Sequence, residues 1–262
     1  MPPGSELVLL ERRAEIALLT LNRAEKHNAL SRELLDRLRV LIGDLGADAS
    51  ARVIVLTGND RCFSTGMDLD DLSGIHAVAD TQRALGVFRD ANAAIERCPK
   101  PVIAAIAGWC LTGGLELALA CDVRVAADTA RFGITSARIG TVAGAGGTQR
   151  LPRLIGPGRA KEMLFSAEPI DAAEALRIGL VNRVAPAGCE VEAALEMARL
   201  FARRAPLGLW FAKSAVNVGL TMPLESALAF EMGLTAQLFT TEDRGEGLRA
   251  FLERREARFE GR

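Results

Sequence analysis

Histidine is scarce and tyrosine is absent: two His and no Tyr stand in 262 residues, beside five Cys that form no C-x-x-C pair. Each shortage removes a chemistry. With only His27 and His76 available, a three-histidine zinc site cannot be built, and a histidine-based triad would have to recruit one of those two. The cysteines at 62, 98, 110, 121 and 189 are odd in number and read as reduced thiols of a cytosolic protein, most of them core fillers. Charge of one sign is lacking too. Lys plus Arg total 32 against 33 Asp plus Glu, for a net charge of -1, so there is no basic footprint for a nucleic-acid backbone. Long apolar runs are missing as well. The N-terminal stretch carries Glu6, Glu11, Arg12, Arg13 and Glu15 among its apolar residues, which fits neither a signal-peptide core nor a membrane span. The expectation is a soluble, cytoplasmic protein that binds a neutral or small anionic ligand, with no metal, nucleic-acid or membrane partner. Carboxylates are its default acid/base groups.

What is present is a chain 49% hydrophobic, long enough for one large α/β domain or a domain with a modest appendage. Residues 6–21 form two apolar runs around the charged "ERRAE", the pattern of a β-hairpin. Ser31 can cap a helix whose stripe is Leu34, Leu35, Leu38, Leu41, Ile42 and Leu45, with Gly46 where a terminating glycine belongs. "RVIVLTG" (52–58), "PVIAAIAG" (101–108) and "DVRVAA" (122–127) read as buried strands. Helices at 81–98 (Leu85, Phe88 and Ile95 inward) and 113–121 separate them, so βαβ crossovers are expected. After about residue 150 the pattern is helical, with one further strand in "LVNRVA". The late helices are rich in Ala, Leu and Met on more than one face, which fits burial against another subunit as well as packing within the chain.

The glycine-rich "GTVAGAGGTQR" (140–150) lacks the G-x-G-x-x-G spacing, its third position being Gln149, and no G-x-S-x-G elbow or Walker pattern occurs. Two other loops carry more. "GNDRCFSTGMDLDDL" (58–71) and "GWCLTGGLELALAC" (108–121) each leave a buried strand through glycine into a helix. A helix start at a strand's carboxyl end presents unpaired N–H groups and a positive dipole end, a ready place for negative charge.

These two segments resemble the crotonase superfamily, the enoyl-CoA hydratase/isomerase group. "LNRAEKHNAL", "GTVAGAGGTQRLPRLIG", "AEALRIGLVNRVAP" and "AFLERREARF" match further family stretches in the same order, along essentially the whole chain. The resemblance implies an α/β fold, a crotonase (ClpP-like) spiral of repeated ββα units. It implies residues 1–200 as an acyl-CoA-binding core and 201–262 as a helical region forming homo-trimers, often paired into hexamers. Acyl-CoA thioesters are the implied substrates, with coenzyme A part of the substrate and no separate cofactor. The family's oxyanion hole falls on the backbone N–H groups of Met67 and Gly113, where two preorganised donors stabilise an enolate-like oxygen. Glu116 falls on one of the two catalytic glutamates of the hydratases, amid Leu115, Leu117 and Leu119. Lys26 is placed near the CoA pyrophosphate, Phe251 and Arg254 near its adenosine phosphate, and Asp68, Leu69, Asp70 and Gly114 in the pocket loops.

One departure is clear. The hydratase segment F-G-x-P-E is matched by "FGITSARIG", which puts Ser136 on the second glutamate, with Arg138 two residues on. Serine can hold a water but cannot exchange a proton at neutral pH, and a lost acid/base group costs about 10² to 10⁴ in rate. Family isomerases that use one carboxylate keep this second position rather than that of Glu116. Enoyl-CoA hydration by Glu116 is therefore the first expectation, with Asp68, Asp70, Asp71 or a substrate group as candidates for the second function. Ser136 and Arg138 are candidates for recognising a polar or carboxylated acyl chain. The alternatives are another crotonase-type reaction (isomerisation, decarboxylation, thioester hydrolysis or C–C cleavage) and a CoA-binding or RNA-associated scaffold. Near-neutral charge argues against RNA, and Glu116 against an inert scaffold.

Overall fold

A computed structural model describes residues 6–73 and 76–262, apart from the side chains of Leu69 and Leu72. The N-terminal hairpin forms as patterned: β1 (Val8–Arg13) pairs antiparallel with β2 (Ile16–Leu21), and Ala14 turns the chain at a φ of 54°. Ser31 caps α1 (Arg32–Ala47), its hydroxyl accepting the Leu34 N–H at 3.3 Å, and the six stripe residues are all buried. Gly46 does not end this helix, which runs on to Ala47. A Cβ at Gly46 would stand 3.3 Å from the Pro99 ring, so glycine serves close packing there instead.

A repeating unit follows. β3 (Val53–Thr57) leads through β4 (Cys62–Ser64) to α2 (Leu69–Ser73) and α3 (Val78–Arg97). β5 (Val102–Ile106) and β6 (Trp109–Leu111) lead to α4 (Gly113–Ala120), and β7 (Val123–Ala127) and β8 (Arg131–Gly133) to a 3-10 turn at Ser136–Ile139. These are the ββα turns the family likeness implies. The second strand of each turn is three residues long, too short for a period of two to reveal. Then come α5 (Gly147–Ile155), α6 (Pro157–Ser166), the two-residue β9 (Ile170–Asp171), α7 (Ala172–Arg177), β10 (Arg183–Ala185) and α8 (Glu190–Ala202). β9 corrects the expectation of a single strand after residue 150. Three helices close the chain: α9 (Pro206–Gly219), α10 (Leu224–Leu238) and α11 (Glu242–Glu253).

Among the described residues the strands make two sheets, one ordered β1-β2-β3-β5-β7-β10 and parallel from β2 onward, the other β4-β6-β8-β9. Period-two alternation splits the larger sheet between two cores. Ile54 and Leu56 of β3 face the cluster built with α1, α3 and α4, while Val53 and Val55 face α8 through Ala194, Leu195 and Ala198. Burying one such branched side chain is worth about 1.5–3 kcal/mol. α9 and α10 pack on one another, and neither has a buried residue. α9 is tied to the core by Lys213, whose Nζ donates to Asp122 and the Ile95 carbonyl, both at 2.9 Å. Burial pushes the Asp122 carboxyl up despite that cation. No helix among the described residues is long and apolar enough to cross a membrane, and no group of three metal-ligating side chains occurs among them.

Candidate active site

The two glycine-led loops converge as chain geometry predicts. β4 and β6 lie side by side in parallel, so the segments leaving their carboxyl ends meet. In the first, Gly66 adopts a φ of +102°, and a bridge between Leu30 and Met67 fixes the chain: the Leu30 N–H donates to Gly66 at 2.7 Å and the Asp68 N–H to Leu30 at 3.3 Å. In the second, Gly113 begins α4, and a Cβ built on it would lie 3.3 Å from the Met67 nitrogen. The Met67 and Gly113 N–H groups find no acceptor among the described residues.

The residue before Gly113 is strained. Thr112 sits at φ 45° and ψ -111°, a conformation that costs a non-glycine residue about 1–3 kcal/mol. Its surroundings hold it there: its N–H donates to Gly133 at 2.8 Å, and its hydroxyl oxygen accepts the Thr135 N–H at 3.1 Å and meets the Thr135 hydroxyl at 3.0 Å. The other end of α4 is clamped by buried Arg124 of β7, whose Nη1 donates to the Ala118 and Cys121 carbonyls at 3.1 and 2.7 Å. A cation there also answers the negative end of the helix dipole.

Glu116 stands on the first turn of α4, 2% exposed. Its Oε1 accepts the Ala145 and Gly147 N–H groups at 2.8 and 2.7 Å. Burial pushes its carboxyl above the ordinary glutamate value, and the two N–H groups and the Arg150 cation only partly oppose this. The other oxygen, Oε2, accepts no hydrogen bond among the described residues and is not sealed from solvent. Ser136 is buried at the head of the 3-10 turn, its carbonyl accepting the Thr141 N–H at 3.1 Å. A cavity of about 220 Å³ opens beside the meeting loops, lined by Leu35, Met67, Ala84, Val87 and Phe88, with Arg32, Asp71, Asp80 and Arg83 also in its wall. Phe88 links it to α4, since a Cβ on Gly113 would stand 3.0 Å from its ring.

The remaining expected residues fall into two groups. Asp68 and Gly114 support the loops. Asp68 is buried, pairs with Arg23 at 2.6 Å and accepts the Asp70 N–H at 2.9 Å. Burial alone would raise its carboxyl, but the Asp70 N–H and Arg23 outweigh it and hold it below the usual value. Gly114 lets α4 rest on β4, because a Cβ there would lie 2.4 Å from the Ser64 carbonyl oxygen. The others lie on the surface. Lys26 and Asp70 are exposed and pair at 3.0 Å, and Arg138 is exposed and pairs with Glu168 at 2.8 Å. Phe251 and Arg254 are exposed at the end of α11. The side chain of Leu69 lies outside the described residues. Cys62 and Cys110 are buried, which pushes the Cys62 thiol up to about 11 and Cys110 well above its ordinary value, so neither is poised as a thiolate.

Sequence reading missed Thr112, Arg124, Asn92, Arg150 and the two N–H donors of the 140–147 loop. The sequence carried a signal for the last. "GAGG" leading into a helix is the same cradle of N–H groups that serves anions elsewhere, and here it holds a carboxylate of the chain itself rather than a phosphate.

The profile of the enoyl-CoA hydratase/isomerase family matches residues 11–262. Over 252 residues the chain is 37% identical to a short-chain-enoyl-CoA hydratase of Clostridium acetobutylicum, covering 95% of each. It is 41% identical to a 2,3-dehydroadipyl-CoA hydratase of Escherichia coli, covering 98% of this chain and all of that one. Among solved structures, an enoyl-CoA hydratase from Bacillus anthracis is similar with a TM-score of 0.95 and 37% identity, covering 98% of this chain and 100% of that one.

Proposed function

The chain belongs to the enoyl-CoA hydratase/isomerase family, and from that premise we propose that it is an enoyl-CoA hydratase, adding water across the 2,3-double bond of an enoyl-CoA thioester. The observation that carries this is the arrangement around Glu116: a buried carboxylate with one oxygen held and the other open, next to two backbone N–H groups without acceptors. The Met67 and Gly113 N–H groups receive the thioester oxygen. Water attacks Cβ as Glu116 Oε2 takes one of its protons, and the negative charge moves onto the thioester oxygen as an enolate. The protonated Glu116 then delivers the proton to Cα, the carbonyl re-forms, and the carboxylate is restored. One water is consumed and no separate cofactor takes part. A group that must first accept and then give a proton works best with a pKa raised toward neutrality, which burial provides. Ser136, short and uncharged, holds the attacking water without exchanging its proton.

The acyl chain enters the cavity beside Met67 and Phe88, and Lys26 meets the CoA phosphates at the exposed rim. Phe251 and Arg254 are exposed and available to the adenosine end. A homo-trimer or hexamer is part of the proposal, supported by the uncovered apolar side chains of α9 and α10. A cytoplasmic location is supported by cysteines that are all free and mostly buried. The test is the loss of conjugated thioester absorbance when purified protein meets crotonyl-CoA. The wild type is expected to remove it, and Glu116→Gln to be slower by about 10² to 10⁴. No change with the wild type on crotonyl-CoA or on longer and carboxylated enoyl-CoAs overturns the reading.

A further inference from the structure

Glu116 is aimed by a loop, and the loop is itself held from behind. Its two donors, the Ala145 and Gly147 N–H groups, flank the Ala145 carbonyl in the chain. That carbonyl accepts Asn92 Nδ2 and Arg150 Nη1, each at 2.9 Å. Arg150 is in turn fixed by a fork on Glu96, Nε to Oε1 at 2.6 Å and Nη2 to Oε2 at 2.8 Å. Asn92 is 1% exposed, and its Oδ1 has no partner among the described residues, so this carboxamide is buried for the sake of one hydrogen bond. Gly146 adopts a φ of +115°, and Arg150 Nη1 occupies the space a side chain would need, 1.8 Å from a Cβ built there. The peptide between the two donors is thus gripped from α3 and from α5 together.

We propose that Asn92 and Arg150 are positioning residues for Glu116: by gripping the Ala145 carbonyl they aim the Ala145 and Gly147 N–H groups at Oε1 and so leave Oε2 to the reacting water. This rests on the hydratase reading for its catalytic consequence, though not for its effect on the carboxyl itself. Of the elements packed on α4, α5 presents Arg150, α3 presents Asn92 with Glu96 behind the arginine, and β4 and β6 present no charged residue. α4 has no charge besides Glu116, and β7 presents Arg124 at the far end of the helix. Losing the grip weakens hydrogen bonds that favour the ionised carboxylate, so the carboxyl titrates at higher pH. Arg150→Met also removes a cation, whereas Asn92→Ala leaves every charge in place and isolates the geometry.

The experiment compares Asn92→Ala, Arg150→Met and the double variant with the wild type. The pH profile of kcat on an enoyl-CoA is measured, and the Glu116 carboxyl titration is followed by carbon NMR, with Glu116→Gln for assignment. Each single variant is expected to lower kcat about 10- to 100-fold with KM within about threefold. Both the acid limb of kcat and the NMR midpoint move to higher pH, and the double variant loses less than the product of the single losses, because one carbonyl is shared. An unchanged NMR midpoint in Asn92→Ala, or in Arg150→Met where Asn92→Ala does not fold, overturns the proposal, even if stability falls. A shifted midpoint in a protein that hydrates no enoyl-CoA would sink the hydratase reading and leave the grip on Glu116 standing.

Discussion

At the scale of a residue, Glu116 holds a charge where the fold would be more stable without one. Its pKa is raised in the folded state by burial, so the native protein binds that proton more tightly than the unfolded chain does. Below the unfolded value both states are protonated and nothing is lost; as pH rises through the raised folded value, the buried charge costs stability. Glu116→Gln removes this cost, since the amide oxygen can still accept the Ala145 and Gly147 N–H groups. The inactive variant is therefore expected to melt above the wild type at neutral pH, by about 2–4 °C for each kcal/mol relieved. The gap should close as the pH is lowered, and calorimetry at several pH values checks both the sign and the trend. A variant that melts lower at neutral pH would show that Glu116 is stabilised by its partners on balance.

At the scale of an element, α4 is the part that turns residues into a site. It presents Gly113 N–H and Glu116 one turn apart, begins at strained Thr112, ends under Arg124 and rests on β4 through Gly114. The close approach at Gly114 sets the depth of the whole helix. Gly114→Ala places a Cβ against the Ser64 backbone, which cannot yield as a flexible side chain would. The expected cost is about 1–3 kcal/mol in stability, with kcat falling about 10²-fold because Gly113 and Glu116 move together. Gly158→Ala, in α6 with nothing within 4 Å of the new methyl, should leave kcat unchanged and gain up to about 1 kcal/mol. Denaturant melts and steady-state rates on the two variants separate these outcomes.

At the scale of the whole molecule, the larger sheet has a buried cluster on each face, whereas α9 and α10 bury no residue. Leu224, Leu228 and Met232, four residues apart along α10, are 73%, 50% and 69% exposed, a stripe on one face. The proposed assembly predicts that light scattering finds a trimer or hexamer of the 27.9 kDa chain. Leu224→Asp with Met232→Asp should shift it to monomer. A monomeric wild type at micromolar concentration would overturn the assembly proposal while leaving the chemistry of Glu116 untouched.

Long periodic elements were legible in the sequence, because a hydrophobic stripe repeats over many residues: the hairpin, α1 with its Ser31 cap, the buried strands and α4 all formed where pattern placed them. Short strands were not, since three residues carry too little alternation, and Gly46 served contact with Pro99 rather than a helix end. Likeness to the family put Met67, Gly113, Glu116 and Ser136 forward as motif residues. Their environment could not. Asn92, Ala145, Gly147 and Arg150 lie 24 to 34 positions from Glu116 in the chain, and no local pattern joins them to it. The sequence by itself determined which groups exist: few histidines, many carboxylates, and glycines at the strand ends. Only the tertiary structure decided how deeply Glu116 is buried and which of its oxygens is held, because burial and hydrogen bonding depend on segments distant in sequence meeting at one place.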